Sequence, residues 1–380
     1  MRIAFYAPLK SPDHPVPSGD RQIARALLRA LDDAHHDTLI ASRLRSFDKH
    51  GDAHRQARLQ RIGARMAARI VRRWRTTTPP PEVWLTYHVY HKAPDLIGPV
   101  VSRELGIPYV AVEASVTPRQ REGPWARGHA LAIDAIRRAD TIICINPRDV
   151  NALRRIRGEE APLDVMAPFI DVAAFTAGRD GARRLADDGR GIRLLTVAMM
   201  RDGAKLASYR LLANALAHLD DVRWSLRIVG DGPARHDVER TFQAFGDRVS
   251  FMGQCAPEAI AASMRDSDVF VWPAIDEAIG IVFIEAQACG VPVIGGDSGG
   301  VAAVVEPGKT GLLVPREDSL AFAAAIRRLA FDPALRERMG MTAAAHARAR
   351  HDVPAAAAAL DLILRRVVRA RTASAAVHAE

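Results

Sequence analysis

The chain has 380 residues, more than one hydrophobic core of ordinary size holds, so two domains are expected. Its 48% hydrophobic and 26% charged residues fit a soluble globular protein, and no stretch approaches the roughly 20 apolar residues of a membrane span. The net charge of +9 lies in the first half: residues 1–165 hold 27 Lys and Arg against 18 Asp and Glu, and the rest is balanced.

Met1 leads directly into the strand-like Arg2-Ile-Ala-Phe-Tyr-Ala7, so no signal peptide is expected. Short apolar runs follow at Ile3–Ala7, Thr38–Ala41, Glu82–Tyr87, Pro108–Val112 and Thr141–Ile145, with helical patterns between them, among them Arg21–Leu31 and Gly128–Arg138. Strand–helix alternation of this kind predicts a parallel sheet covered on both faces. From about Ala53 to Arg75 the arginines Arg55, Arg58, Arg61, Arg65, Arg69, Arg72, Arg73 and Arg75 stand mostly three or four apart, with Leu59, Ile62, Met66 and Ile70 between them. This basic amphipathic helix reads either as a surface for anionic lipid headgroups or a phosphate-bearing acceptor, or as a solvated face. A Gly-, Asp- and Arg-rich stretch, Thr176–Gly191, reads as a linker. Beyond it a second series of strands is expected at Arg193–Val197, Trp224–Val229, Arg248–Met252, Asp268–Trp272, Val291–Ile294 and Leu312–Val314. The Ala-rich end from Pro354 to about Arg369 reads as one helix, and Thr372–Glu380 as a frayed tail. Cys144, Cys255 and Cys289 are scattered and make neither a metal-ligand spacing nor a disulfide framework, which points to a reducing cytoplasm.

The most informative string is Glu277-Ala-Ile-Gly-Ile-Val-Phe-Ile-Glu285. A buried strand ended by Pro273 precedes it, and Ala286-Gln-Ala-Cys-Gly290 closes the apolar helix that carries the second carboxylate. Two glutamates thus flank a helix N-terminus at the end of a strand, where α/β sheets bind ligands and free N–H groups favour an anion such as a pyrophosphate. With Ala288-Cys-Gly-Val-Pro-Val293, Asp297-Ser-Gly-Gly300 and Thr310-Gly-Leu-Leu-Val-Pro315, the segment resembles the donor site of the family 4 retaining glycosyltransferases. Further similarity lies in Gly230-Asp-Gly-Pro233 and in Met166-Ala-Pro-Phe-Ile-Asp171-Val-Ala-Ala-Phe175, where Phe169 replaces the family's Asn-Gly.

The resemblance implies the GT-B fold, an α/β architecture of two Rossmann-like, doubly wound parallel-sheet domains facing a central cleft. An acceptor-binding domain is expected over 1–175, a donor-binding domain over 190–353, and a helix over 354–370 that crosses back to the first domain. It also implies roles. Glu277 contacts the transferred hexose. Glu285 suits the ribose diol, since a carboxylate accepts two hydrogen bonds. Lys205, with Arg201 in place of an arginine displaced by Met199, grips the departing diphosphate. The backbone of Ala278, Ile279, Gly280, Ile281 and Val282, with the turns at Gly230 and Gly19, lines the donor. His88, His91, Glu113 (where the family commonly has His) and Asn146 are candidates on the acceptor side.

The implied reaction is a retaining transfer of hexose from a UDP- or GDP-linked sugar to a glycan or lipid-linked acceptor. It would run without metal, since no Asp-x-Asp motif stands at a strand end, and without a cofactor beyond the nucleotide-sugar co-substrate. The expected location is the cytoplasm, with the inner face of the plasma membrane, an anionic surface, as a second site. Two alternatives stay open: a non-catalytic sugar-nucleotide-binding or scaffold protein on the same fold, and a nucleic-acid binder suggested by a pI near 10.0. The last has no recognisable nucleic-acid module in its favour, and nucleic acid is not expected as a partner.

Overall fold

The computed structural model describes residues 1–16, 18–76, 79–176 and 191–377, the last four of these by backbone alone. Nearly all of the expected linker and the last residues of the expected tail lie outside the described residues. The chain forms two compact units, Met1–Met166 with Val353–Glu380, and Ala167–Asp352.

In the first unit β1 (Arg2–Tyr6), β2 (Asp37–Ser42), β3 (Val83–Val89), β4 (Tyr109–Ala114), β5 (Thr141–Cys144) and β6 (Leu163–Val165) form a parallel sheet in the order β2-β1-β3-β4-β5-β6. β3 and β4 are buried along almost their whole length, which is why they read as apolar runs rather than as alternating patterns. Strand β6 has no counterpart in the sequence reading. Its three residues, Leu163-Asp-Val165, are half-buried or exposed, and pairing with β5 plus the Thr141 hydroxyl donated to Asp164 at 2.9 Å holds them. Helix α1 (Gly19–Asp33) starts where the Ser18 hydroxyl accepts the Arg21 N–H, and α2 (Ala53–Trp74) where Asp52 accepts from His54 and Arg55. Helix Val353–Val377 belongs to this unit: it packs along α1, buries Leu360 and Leu364, and pairs Arg371 with Asp140.

In the second unit β7 (Ile192–Val197), β8 (Trp224–Val229), β9 (Val249–Gly253), β10 (Val269–Trp272), β11 (Val293–Gly296) and β12 (Gly311–Val314) form another parallel sheet, in the order β12-β11-β10-β7-β8-β9. β11 begins two residues later than expected, because Pro292 has no N–H to give the ladder. Ile170 and Val172 are part of this unit's core, so the motif around Phe169 folds with the second sheet. The unit's two ends are tied together: Ile170 N–H donates to the His351 carbonyl at 2.9 Å, and Val172 N–H to Asp352 at 3.1 Å.

Both sheets are doubly wound, as expected for Rossmann-like units. Each has one point where successive connections depart in opposite directions, between β1 and β3 in the first and between β7 and β10 in the second. Crevices outside the carboxyl ends of such strand pairs are where open α/β sheets bind ligands. No helix among the described residues is long and apolar enough to cross a membrane.

Candidate functional site

Lys205 and Glu277 meet at the switch point of the second unit. Lys205 stands at the start of helix Ala204–Leu216, which follows β7, and Glu277 in the loop after β10; the ammonium lies 2.7 Å from the carboxylate. The ammonium also lies 5.4 Å from the ring centroid of Trp272, whose negative face favours it. The glutamate's loop is built under strain. Ala274 and Asp276 have φ of +55° and +57°, a left-handed conformation that costs a non-glycine residue about 1–2 kcal/mol. Three bonds hold it: Glu277 N–H to Ala274 O at 3.1 Å, Gly300 N–H to Glu277 O at 3.0 Å, and Ile275 N–H to the Ser208 hydroxyl at 3.0 Å. Ser208 lies one turn beyond Lys205, so one helix positions both members of the ion pair.

Gly280, at φ +78°, turns the chain into helix Ile281–Ala288 without a side-chain cap, so the first-turn N–H groups of Ile281 and Val282 have no capping partner from it. Glu285 is on this helix, half-buried. Its carboxylate has no hydrogen-bond partner among the described residues, and burial pushes its pKa up to about 7. Arg201 is exposed, its side chain without an ion pair or hydrogen bond among the described residues, and Met199 beside it is 53% exposed. Two backbone hydrogen bonds hold the loop that carries both. Ala198 N–H bonds to Val229 O and Met200 N–H to Asp231 O, both at 3.0 Å. Gly230 is required there, since a Cβ would stand 1.9 Å from the Ala198 carbonyl oxygen.

In the first unit the carboxyl ends of β1, β3, β4 and β5 gather a second group. His88 Nδ1 lies 3.0 Å from Asp20 on the first turn of α1. Burial would raise the Asp20 pKa, but the hydrogen bond and charge of His88 hold it below the usual carboxylate value. Glu113 is buried at the end of β4 and accepts the Ile145 N–H at 3.1 Å. Burial pushes its pKa up to about 7, with His88 lowering it and Asp149 raising it further. His88 and Glu113, on adjacent strands, both have positive φ, +64° and +62°. Asn146 accepts the Arg148 N–H and caps the turn Pro147–Asp149, while Gly19 opens α1 with free space around it. His91 is placed elsewhere. It is buried against the edge of Trp125 and lines a cavity of about 10 Å³ with Asp48, Gln56 and Lys92; burial, then Lys92, lowers its pKa.

The structure thus brings Lys205 to Glu277 in the loop before the uncapped helix that carries Glu285, and sets His88 and Glu113 on adjacent strands, while the Arg201 side chain joins no ion pair among the described residues. Sequence reading missed Asp20, Trp272, Ser208 and Asp149 as members of these groups. An acid in the first turn of a helix after a strand was the one local signal, for Asp20. On α2, Arg58, Arg61, Arg65, Arg69 and Arg72 line an exposed face with no ionic partner among the described residues, and Gly63, Ala67, Ile70, Val71 and Trp74 face inward.

Two doubly wound, Rossmann-like parallel sheets in two units are the architecture of the GT-B class. Residues 191–332 match the family described as "Glycosyl transferases group 1". D-inositol 3-phosphate glycosyltransferase of Streptomyces bingchenggensis is 36% identical over 238 residues, 59% of this chain and 52% of that protein. Alpha-D-kanosaminyltransferase of Streptomyces kanamyceticus is 37% identical over 142 residues, 37% of each chain. The chain therefore spans about half or less of the length of these curated relatives. Among solved structures, Anabaena HepE in complex with UDP superposes with a TM-score of 0.72 at 18% identity, covering 96% of this chain and 100% of that one. Sucrose-phosphate synthase from Thermosynechococcus elongatus gives 0.70 at 21%, covering 97% and 99%. The family match thus covers residues 191–332 of the second unit, and the likeness to these solved structures shows the fold, two Rossmann-like units of the GT-B kind.

Proposed function

We propose that the protein is a retaining hexosyltransferase that moves a sugar from a UDP- or GDP-linked donor to a hydroxyl of a glycan or lipid-linked acceptor, without a metal. The observation that carries this reading is the Lys205–Glu277 pair across the β7/β10 switch point, beside the uncapped helix Ile281–Ala288. A diphosphate entering there meets the ammonium and the first-turn N–H groups, which stabilise the negative charge that grows on it as the glycosidic bond breaks. Glu277, freed from Lys205 by the phosphate, is left to hydrogen-bond the hexose. Glu285, whose carboxylate has no hydrogen-bond partner among the described residues, accepts the two hydroxyls of the ribose. The relatives named for glycosyl transfer and the neighbour solved with UDP-glucose support the donor class.

Cation chemistry here is supplied by Lys205 and backbone N–H groups. The string Asp266-Ser-Asp268 stands at the start of β10, not at its carboxyl end, and Asp268 is engaged by Arg193 at 2.9–3.0 Å.

The test is a thermal-shift panel of nucleotide sugars, in which a donor at a hundredfold excess over its Kd adds about 2.7 kcal/mol to stability. With the donor found, Glu285→Gln should raise donor KM, and Glu277→Gln should lower kcat with a smaller effect on KM. Binding of a donor with neither hydrolysis nor transfer would favour a non-catalytic sugar-nucleotide binder. Loss of turnover in EDTA, restored by Mn²⁺ or Mg²⁺, would overturn metal independence.

A further inference from the structure

Asp20 and His88 bridge the β1/β3 switch point of their own sheet. Asp20 opens the helix that follows β1, and His88 stands at the carboxyl end of β3, the neighbouring strand. That is the ligand crevice of a sheet wound in this order. An ionised carboxylate can only accept, so the hydrogen shared with Asp20 at 3.0 Å resides on Nδ1, and a ring with one proton then presents its lone pair at Nε2. The low pKa of Asp20 keeps it in the accepting state. Nε2 has no hydrogen-bond partner among the described residues. The ring is held in place by stacking on Tyr90, centroids 4.8 Å apart and planes at 28°, and its side chain is 21% exposed, enough to meet a solute. Around it stand Asp20 from α1, Glu113 from β4, Asp149 from the turn after β5, and Tyr87 and Tyr90 from its own strand and the residues just beyond, with Lys10 acting on Asp20 and Arg45 on Tyr90. These surroundings offer acceptors to a polyol rather than donors to an anion.

We propose that the Asp20–His88 pair is a hydroxyl-binding site of the first unit: His88 Nε2 accepts the hydrogen of a hydroxyl on the polyol to be glycosylated, and Asp20 is a positioning residue that fixes the tautomer. The assignment rests on the glycosyl-transfer reading above. It adds which residues face the acceptor and which group of the acceptor they recognise.

The full-length protein, labelled with ¹⁵N in its histidines, is examined by long-range ¹H–¹⁵N NMR at pH 8.5, where Glu113 is ionised. His88 should carry its proton on Nδ1, and its bare Nε2 signal should move on addition of inositol, the uncharged polyol part of a substrate that a relative's name prints. Asp20→Asn should turn that single tautomer into a mixture. With UDP-glucose as donor and the same polyol as acceptor, His88→Asn and Asp20→Asn should raise polyol KM tenfold or more and leave donor KM within twofold. His88→Gln, whose amide oxygen reaches the place of Nε2, should recover part of the loss. A proton on Nε2 in the wild type, an Nε2 signal indifferent to the polyol, or an unchanged polyol KM in His88→Asn would each overturn the proposal. If the wild type neither binds UDP-glucose nor releases UDP from it, the donor reading fails separately, and the tautomer and the polyol-induced shift still decide the pair.

Discussion

Glu285 bears an electrostatic penalty that a ligand would relieve. Its folded-state pKa of about 7 lies above the ordinary 4.5 because burial disfavours the charged form and no donor compensates. A carboxyl whose pKa is raised by folding destabilises the fold increasingly as pH rises above the unfolded value, and fully once pH exceeds the folded value. At roughly 1.4 kcal/mol per unit the penalty at pH 8 is about 3 kcal/mol. Glu285→Gln should therefore stabilise the unliganded protein at pH 8, with little gain at pH 4, while it weakens donor binding; chemical denaturation at the two pH values checks this. Donor binding through a vicinal diol needs the ionised form, so donor affinity should climb about tenfold per pH unit below 7 and level off above. A pH-independent Kd between 5.5 and 8 would remove Glu285 from the donor contact. The positions of Glu277 and Glu285 on either side of a helix start could be read from an ordered string of turn and helix signals, and that of Lys205 from the loop after β7. The Asp20–His88 pair could not: its members are 68 residues apart, and only the order of strands brings them together.

At the scale of elements, eleven of the twelve strands among the described residues lie within two residues of their expected bounds, whereas helices that bury apolar faces, such as Ser319–Phe331 and Pro333–Arg350, were not named. The arginines of α2 predicted a helix from about Ala53 to Arg75, and α2 runs from Ala53 to Trp74, because three- and four-residue spacing survives whatever the helix packs on. β6 was invisible because three half-exposed residues carry no period; partners on β5 and helix Val353–Val377 define it. The exposed face of α2 has its own consequence. Basic side chains near an anionic leaflet contribute about 1 kcal/mol each, fading with salt. The five arginines without ionic partners among the described residues are therefore expected to bind the protein to anionic but not to zwitterionic liposomes at low salt. Exchange of Arg61, Arg65, Arg69 and Arg72 for Gln should abolish flotation and leave donor affinity unchanged. Flotation with neither liposome type would mark the stripe as a solvated face and favour a soluble acceptor.

Across the whole molecule, the two units repeat one device, a hydrogen-bonded pair bridging the switch point of a doubly wound sheet, but the chain builds them differently. The first unit is discontinuous, closed by its returning C-terminal helix, whereas the second is one stretch, Ala167–Asp352. Its core is contiguous and drawn from residues 170–347, and its ends are joined by the His351 carbonyl, which accepts from Ile170, and the His351 ring, which donates from Nδ1 to the Pro168 carbonyl at 2.6 Å. The fragment 167–352 should therefore fold alone and bind the donor with an affinity within about tenfold of the full protein, since Lys205, Glu277 and Glu285 all lie within it, and it should transfer nothing to a polyol. Its stability has a built-in acid limit. Burial lowers the His351 pKa to about 4, from an ordinary 6.5, so the unfolded state binds the proton first. Stability is complete above pH 6.5 and falls as pH drops towards 4, by about 3 kcal/mol. His351→Asn, whose amide can still donate to Pro168, should flatten that part of the curve, as urea denaturation between pH 4.5 and 7.5 would show. A fragment that is unfolded at pH 7.5 would mean that the second sheet depends on the first, and a wild-type slope unchanged in His351→Asn would assign the acid limit to another group.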